Sequence, residues 1–212
     1  MRVLVADDHE MVRRGLRAVV ENQPGWLLCG EATTGREAVE RALELKPDVV
    51  VMDLSMPELH GLEATRRIRR ELPQTEVLIL TMHDSERLVR EVLAVGAKGF
   101  VLKSDAGHVL VRALESVGEH RPYFTSKFGE LMISGYLHSA ESLADEGETL
   151  SPREREIVQL VCEGKSSKDI AVALDLSTKT VETHRANIHR KLRLRSVSEL
   201  VRYAIRNQII EA

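Results

Sequence analysis

Arg2-Val3-Leu4-Val5-Ala6-Asp7-Asp8 and Asp48-Val49-Val50-Val51-Met52-Asp53 decide the fold. Each is a continuous apolar run of strand length that ends in carboxylates. A strand with one solvated face alternates apolar and polar residues, whereas a continuous run is buried on both faces, as in a parallel sheet covered by helices. Leu27–Ala32, Val77–Thr81 and Gly99–Leu102 are further runs of this kind. Between them residues recur at helical spacing: Val12, Leu16, Val19 and Val20; Ala38, Ala42 and Leu45; Leu62, Thr65, Ile68 and Leu72; Leu88, Val92 and Val95. Alternating strands and helices with right-handed crossovers predict a doubly wound, five-stranded parallel α/β sheet over residues 1–120. Ligands of such sheets bind beyond the carboxyl ends of the strands.

The chain of 212 residues has room for a second small domain. Its 43% apolar and 30% charged residues describe a globular protein, and 3% aromatics require aliphatic cores. No apolar run approaches the ~18 residues a membrane helix needs. The first apolar stretch ends in Asp7-Asp8, against a secretory signal, so a cytoplasmic protein with no membrane partner is expected. Cys29 and Cys162 are far apart, make no metal-ligand pattern, and read as reduced, packed thiols. Charge is uneven. Residues 148–212 carry 12 Lys and Arg against 9 Asp and Glu, while residues 1–147 carry 18 against 24. A polyanionic partner is therefore expected for the second half only.

In the sheet so predicted, Asp7 and Asp8 follow the first strand, Asp53 ends the third, Thr81 ends the fourth and Lys103 follows the fifth. All five converge on one edge. Three neighbouring carboxylates repel one another unless a cation joins them. Oxygen ligands favour a hard ion such as Mg²⁺, and an ammonium and a hydroxyl opposite suit phosphoryl oxygens. The set reads as metal-assisted phosphoryl transfer onto a carboxylate nucleophile. One strand-end acid alone would be an ordinary solvated loop residue; the coincidence of five carries the reading.

Periodicity weakens between residues 121 and 148, where Phe128–Tyr136 has the composition of a short helix and Ser139–Glu148 that of an exposed linker. From 149 to 212 everything is helical. Ser151-Pro152-Arg153-Glu154 has a capping Ser, Pro at the first helical position and a Glu to close the box. Ser166 with Asp169 and Ser196 with Glu199 repeat the spacing, and Ser177 can cap a helix between them. Four short helices are predicted, at 152–163, 167–174, 178–192 and 197–208. On the third, Val181, Ile188 and Leu192 form an apolar stripe while Lys179, Thr183, Ala186, Asn187 and Arg190 face away. Such a helix can enter a major groove. Thr183, Asn187 and Glu182 are candidates for base edges and Ala186 for a thymine methyl. Lys179, Thr180, Arg190 and Lys191 are candidates for phosphate clamps. Arg185 lies about 40° from the stripe and is expected to lie along the surface. Val197, Leu200, Val201, Ala204 and Ile205 of the last helix read mostly as core.

Residues 1–120 resemble the flavodoxin-like receiver domain of two-component response regulators. Residues 149–210 resemble the LuxR-type helix-turn-helix of the NarL/FixJ class. The latter is carried by Leu150-Ser151-Pro152-Arg153-Glu154-Arg155-Glu156, by Glu163-Gly164-Lys165-Ser166-Ser167-Lys168-Asp169-Ile170-Ala171, and by Leu176-Ser177-Thr178-Lys179-Thr180-Val181-Glu182-Thr183-His184. The resemblance implies Asp53 as phosphoacceptor for a histidine kinase, with Asp7, Asp8, Asp53 and the backbone carbonyl of Ser55 holding Mg²⁺. It implies Lys103 pairing the phosphate, Thr81 as switch hydroxyl, Phe100 as an aromatic that rotates inward, and Pro57 and Gly61 shaping the turn after the acceptor. Ser104 departs from the proline many receivers carry after the lysine, which puts a cis bond there in doubt. His83 stands where the family varies and tunes acyl-phosphate hydrolysis. Slow self-phosphorylation and self-dephosphorylation are implied, not enzymatic turnover. A homodimer through the last helix, on an inverted repeat of double-stranded DNA, is also implied. So is a resting receiver that hinders DNA binding. A dehalogenase-like phosphatase needs a second acid two residues after its nucleophile, where this chain has Ser55. A receiver that ignores phosphate is disfavoured by the intact five-residue set.

Overall fold

The computed structural model describes residues 1–83, 85–125, 129 and 150–210, which fold as two compact units. In the first, β1 (Arg2–Ala6), α1 (Glu10–Glu21), β2 (Leu27–Ala32), α2 (Gly35–Leu45), β3 (Val49–Asp53), α3 (Gly61–Glu71), β4 (Glu76–Thr81), α4 (Glu86–Ala94), β5 (Gly99–Leu102), α5 (Ala106–Gly118) and β6 (Tyr123–Phe124) alternate along the chain. The sheet is parallel throughout, in the order β2-β1-β3-β4-β5-β6. The order reverses at β1, so the crevice at the carboxyl ends of β1 and β3 is where a ligand belongs.

The expected strand–helix alternation is present, with six strands rather than five. β6 is two residues after Pro122, too short for any periodicity, and it pairs Tyr123 with Gly99 and Phe124 with Phe100. Burial on both faces holds for β1 after its first residue and throughout β3, β4 and β5. It fails for β2, an edge strand whose Leu27 is exposed. Alternate residues divide the core between the faces. Val3, Val5, Val49, Val51, Leu78, Leu80 and Val101 pack with Leu16 and Val20 of α1 and Leu110, Ala113, Leu114 and Val117 of α5. Leu4, Ala6, Val50, Met52, Val77 and Ile79 fill the other face, which α2 and α3 cover.

Local chemistry sets the helix starts. Thr34 accepts from the Glu37 backbone N–H at 3.1 Å to begin α2, and Ser85 accepts from Leu88 at 3.2 Å to begin α4. Such caps satisfy backbone donors that a helix start leaves without partners.

The second unit holds α6 (Pro152–Cys162), α7 (Ser167–Leu174), α8 (Thr178–Lys191) and α9 (Val197–Arg206). Ser151 with Glu154 and Ser166 with Asp169 form complete capping boxes. Ser177 caps α8 through the Thr180 N–H at 3.0 Å. The expected third box is partial: Ser196 accepts from Glu199, but the Glu199 carboxylate turns to the Arg195 N–H at 2.6 Å. α7 ends with Asp175 at φ 52 and with the Leu176 N–H on the Ala171 carbonyl at 2.8 Å. This left-handed cap leaves only Leu176 before the cap of α8, giving the tight turn of a helix-turn-helix. Ile157, Val158, Leu160, Ile170, Val181, Ile188, Leu200 and Ala204 form the core. The stripe on α9 is less buried than expected: Leu200 and Ala204 are core, whereas Val197 is 48% and Ile205 37% exposed. α9 packs its inner edge on α6 and leaves the outer edge to solvent within this unit.

Cys29 and Cys162 are free and half-buried. Burial raises both thiols, Cys162 to about 11, so neither is a reactive thiolate. The helix expected over Phe128–Tyr136 falls outside the described residues. Among the described residues no helix is long and apolar enough to cross a membrane.

Candidate functional site

The carboxyl ends of β1, β3, β4 and β5 bring Asp7, Asp53, Thr81 and Lys103 together. Parallel register is the cause: Ala6 lies beside Met52, Asp53 beside Leu80 and Thr81 beside Leu102. The last residue of β3 and of β4 and the residue just after β1 and β5 therefore enter the same crevice. Asp7 is fully buried and Asp53 is 2% exposed. The Lys103 ammonium stands between them, 2.8 Å from Asp7 Oδ2 and 3.0 Å from Asp53 Oδ2. Asp53 Oδ1 accepts from the Leu54 backbone N–H at 2.8 Å. Asp8 is outermost, with its side chain 31% exposed.

Burial, reinforced by the charge of Asp7 and opposed by Lys103, pushes Asp53 up to about 6. Burial also works against the Lys103 charge, but Asp53 and Asp7 outweigh it and raise the ammonium above its ordinary range. Two buried anions thus share one cation. Asp7 Oδ2 and Asp53 Oδ2 are buried with the Lys103 ammonium as their polar neighbour, and Asp8 Oδ1 is buried with His9 Nδ1 2.7 Å away. Ligand atoms of Asp7, Asp8, Asp53 and the adjacent His9 all lie within 4.8 Å of one another. Buried carboxylate oxygens with unused lone pairs and one cation too few are the donor set of a hard divalent ion.

The turn after Asp53 is tight. Leu54 and Met56 are buried, Ser55 is half-buried, and Glu58 takes a left-handed φ of 66. The Gly61 N–H donates to the Leu54 carbonyl at 2.8 Å, and a Cβ on Gly61 would overlap the Asp53 carbonyl oxygen. The chain returns over the acceptor so closely that only glycine fits. The Thr81 hydroxyl accepts from the His83 backbone N–H at 3.2 Å. Phe100, expected to swing inward, is already 1% exposed. No cis peptide occurs among the described residues, so Lys103–Ser104 is trans.

Sequence reasoning overlooked two residues. Arg13 donates to the backbone carbonyls of Asp7 at 2.9 Å and Asp8 at 3.0 Å, fixing the acidic turn. The His9 N–H donates to Asp7 Oδ1 at 2.9 Å, and its ring lies over Asp8. A basic residue one turn into α1 and an imidazole directly after the acid pair were the available signals.

On α8, Lys179, Glu182, Thr183, Ala186 and Arg190 are exposed, while Thr180, Asn187 and Lys191 are half-buried. Thr183 donates back to the Lys179 carbonyl at 2.9 Å, and the Thr180 hydroxyl lies 2.8 Å from Ser177 Oγ. Arg190 donates to Asn187 Oδ1 at 2.9 Å, coupling a candidate clamp to a candidate reader. Lys191 is engaged elsewhere: its ammonium reaches Glu154 Oε2 at 3.0 Å and ties α8 to the start of α6. Burial disfavours the Glu154 charge, but Ser151 and Lys191 outweigh it and hold its carboxyl below the usual range. Arg185 lies along the surface and donates to Ser167 Oγ at 2.9 Å.

Residues 3–115 match the response regulator receiver domain, and residues 148–204 match the bacterial regulatory proteins of the luxR family. The oxygen regulatory protein NreC of Staphylococcus epidermidis is 38% identical over 217 residues, covering 100% of both chains. The transcriptional regulatory protein LiaR of Bacillus subtilis is 39% identical over 210 residues, 99% of each. RcsB of Salmonella enterica serovar Typhimurium, solved on the rprA promoter with the phosphomimetic BeF3⁻, superposes with a TM-score of 0.65 at 29% identity, over 96% of this chain and 97% of that one. The chain belongs to the two-component response regulators of the NarL/FixJ class, transcription regulators that join a receiver domain to a LuxR-type helix-turn-helix DNA-binding domain.

Proposed function

We propose that in the cytoplasm Asp53 accepts a phosphoryl group from a cognate sensor histidine kinase, and that the chain then binds promoter DNA as a dimer to regulate transcription. The observation that carries the reading is the Lys103 ammonium held by two buried carboxylates, Asp7 and Asp53. The pocket is an anion site in waiting. Asp53 Oδ2 attacks phosphorus, the bond from phosphorus to the donor's imidazole nitrogen breaks, and that nitrogen keeps the electron pair. Lys103 then pairs a phosphoryl oxygen in place of the carboxylate. The Thr81 hydroxyl, now accepting from His83, turns to donate to another. Mg²⁺, held by Asp7, Asp8, Asp53 and the Ser55 carbonyl, supplies charge neutralisation when bound. His83 stands beside the acyl phosphate and sets its slow hydrolysis; this and slow self-phosphorylation from small donors are the chain's own chemistry.

For DNA, α8 enters the major groove. Thr183, Asn187 and Glu182 meet base edges and Ala186 a thymine methyl, while Lys179, Thr180 and Arg190 bind phosphates. Lys191 joins them only by leaving Glu154. The exposed edge of α9, Val197 with Ile205, suits a dimer contact and hence an inverted repeat. RcsB is solved bound to DNA as two dimers, which supports this reading. The test is phosphorylation with a small phosphodonor and Mg²⁺. One phosphate is expected on the wild-type chain and none on Asp53→Asn, with tighter DNA binding and a larger dimer fraction after phosphorylation. Labelling that survives in Asp53→Asn sinks the assignment.

A further inference from the structure

We propose that His9 is a fourth protein ligand of the acid pocket, giving it an imidazole nitrogen with which to take a borderline transition-metal dication of the Co²⁺ or Zn²⁺ kind. This rests on the reading that Asp7, Asp8 and Asp53 hold a divalent ion. It adds a residue and a second class of metal to that reading.

Four observations converge on His9. The first is geometric. Ligands about 2.1 Å from one ion lie about 3 Å apart when adjacent and about 4.2 Å apart when opposite. The ligand atoms of Asp7, Asp8, His9 and Asp53 all fall within 4.8 Å of one another, and His9 Nδ1 lies 2.7 Å from Asp8 Oδ1 and 3.4 Å from Asp7 Oδ1. One coordination sphere spans the set. The second is that Asp8 Oδ1 is buried with Nδ1 as its near polar neighbour. The two atoms pair only when the imidazole carries its proton, and without that proton both lone pairs front the same space, where a cation can join them. The third is that helix capping does not explain the side chain. His9 occupies the N-cap of α1 but makes no side-chain capping bond, and its backbone N–H is spent on Asp7 Oδ1. The fourth is access. The His9 side chain is 53% and that of Asp8 31% exposed at the mouth of a pocket whose inner acids, Asp7 and Asp53, are buried, so a hydrated ion meets the imidazole and Asp8 first.

The chemistry decides which ions gain. Mg²⁺ prefers oxygen and keeps its waters, so a nitrogen adds little to its binding. Imidazole suits the later first-row dications, whose affinity for mixed N and O sites rises towards Cu²⁺. The pocket is then selective by ligand type, with three carboxylates for Mg²⁺ and the same three plus His9 for a transition metal.

Co²⁺ is the probe, because its visible spectrum reports nitrogen ligation. The metal-free full chain is titrated with Co²⁺, followed by its visible spectrum, and separately with Mg²⁺, followed by isothermal titration calorimetry. The same titrations are run on His9→Ala and His9→Gln. Co²⁺ is expected to bind wild type with a d–d spectrum that excess Mg²⁺ abolishes. His9→Ala should weaken Co²⁺ by at least ~10-fold, a loss that even outer-shell partners of a metal can cause, while Mg²⁺ shifts by less than about 2-fold. Equal losses for both metals would make His9 a positioning residue for Asp8 and overturn the proposal. So would no loss for Co²⁺, or Co²⁺ that Mg²⁺ fails to displace. Failure of both metals to bind wild type would remove the divalent site itself, whereas Mg²⁺ binding without Co²⁺ binding would overturn only the His9 proposal.

Discussion

Replacing Asp53 by Asn should stabilise the resting protein in the absence of metal, by an amount set by pH. Unfolded, Asp53 titrates at its ordinary 3.8; folded, at about 6, because burial and the charge of Asp7 outweigh Lys103. Below the lower value both states hold the proton and the group contributes nothing. Between the two values only the folded state holds it, so stability from this group falls steadily as pH rises. Above about 6 both states are ionised and the fold carries the full penalty. A difference of roughly two pH units corresponds to about 3 kcal/mol at ~1.4 kcal/mol per unit. Asn removes the charge at nearly equal volume, and Asp7 remains to pair Lys103. The single Trp, Trp26, packs against the core of the first unit, so its fluorescence reports that unit's unfolding. Denaturant titrations in EDTA at pH 7.5 should place Asp53→Asn about 3 kcal/mol above wild type, and the gap should close towards pH 4. Mg²⁺ at a hundred times its dissociation constant should return ~2.7 kcal/mol to wild type alone. A variant no more stable than wild type at pH 7.5, or a gap that ignores pH, would refute the account of the buried pair.

Further outcomes can be measured on the same protein. Lys179→Ala and Arg190→Ala should each reduce the salt slope of DNA binding by about one, uniformly over sequences. Lys191→Ala should change the slope less and instead lower the stability of the second unit by ~0.5–1 kcal/mol, because its charge is already matched by Glu154; equal slopes for all three would reject that distinction. Thr183→Ala and Asn187→Ala should alter the preferred site by roughly 1–3 kcal/mol per base contact, read by selection from random duplexes. Gly61→Ala should destabilise the receiver by at least ~1–3 kcal/mol and depress phosphorylation without altering any charged group; a variant that melts and phosphorylates normally would show that the turn yields. Residues 149–212 alone should bind DNA at least as tightly as the unphosphorylated chain. A markedly weaker fragment would make the receiver an aid to binding rather than a restraint.

The legible parts of the fold were those set by local chemistry or repeated pattern. Val49–Asp53 announced a strand buried on both faces, and Ser151 with Glu154 announced a helix start, because one residue's neighbours in sequence suffice for each. The convergence of Asp7, Asp53 and Lys103 followed from parallel topology, since strands of one direction deliver their ends to one edge. What stayed hidden depends on partners remote in sequence. β6 has only Tyr123 and Phe124 and exists because β5 offers a free edge. Lys191 looked like a phosphate clamp from its place on α8, and only the fold brings Glu154 to it. The stripe on α9 looked like core because periodicity records a face and not how far the neighbouring helix extends across it. Phe100 is buried in this state, which a residue type cannot reveal.

The sixth strand has a mechanical consequence. Phe124 pairs in register with Phe100, and the Tyr123 N–H donates to the Lys98 carbonyl at 2.9 Å. The segment through which the chain leaves the receiver is therefore laced to the strand that carries Phe100 and leads into Lys103. A shift of β5 along its axis pulls the departing chain with it, as a thread stitched to a moving hem. With only two residues in the seam, few backbone bonds resist its opening, and a seam this short can slip by a residue at far lower cost than the interior strands. Amide exchange at Tyr123 and Phe124 should thus be the most sensitive gauge of tension arriving from the phosphorylation site, responding before any change registers in the aliphatic core.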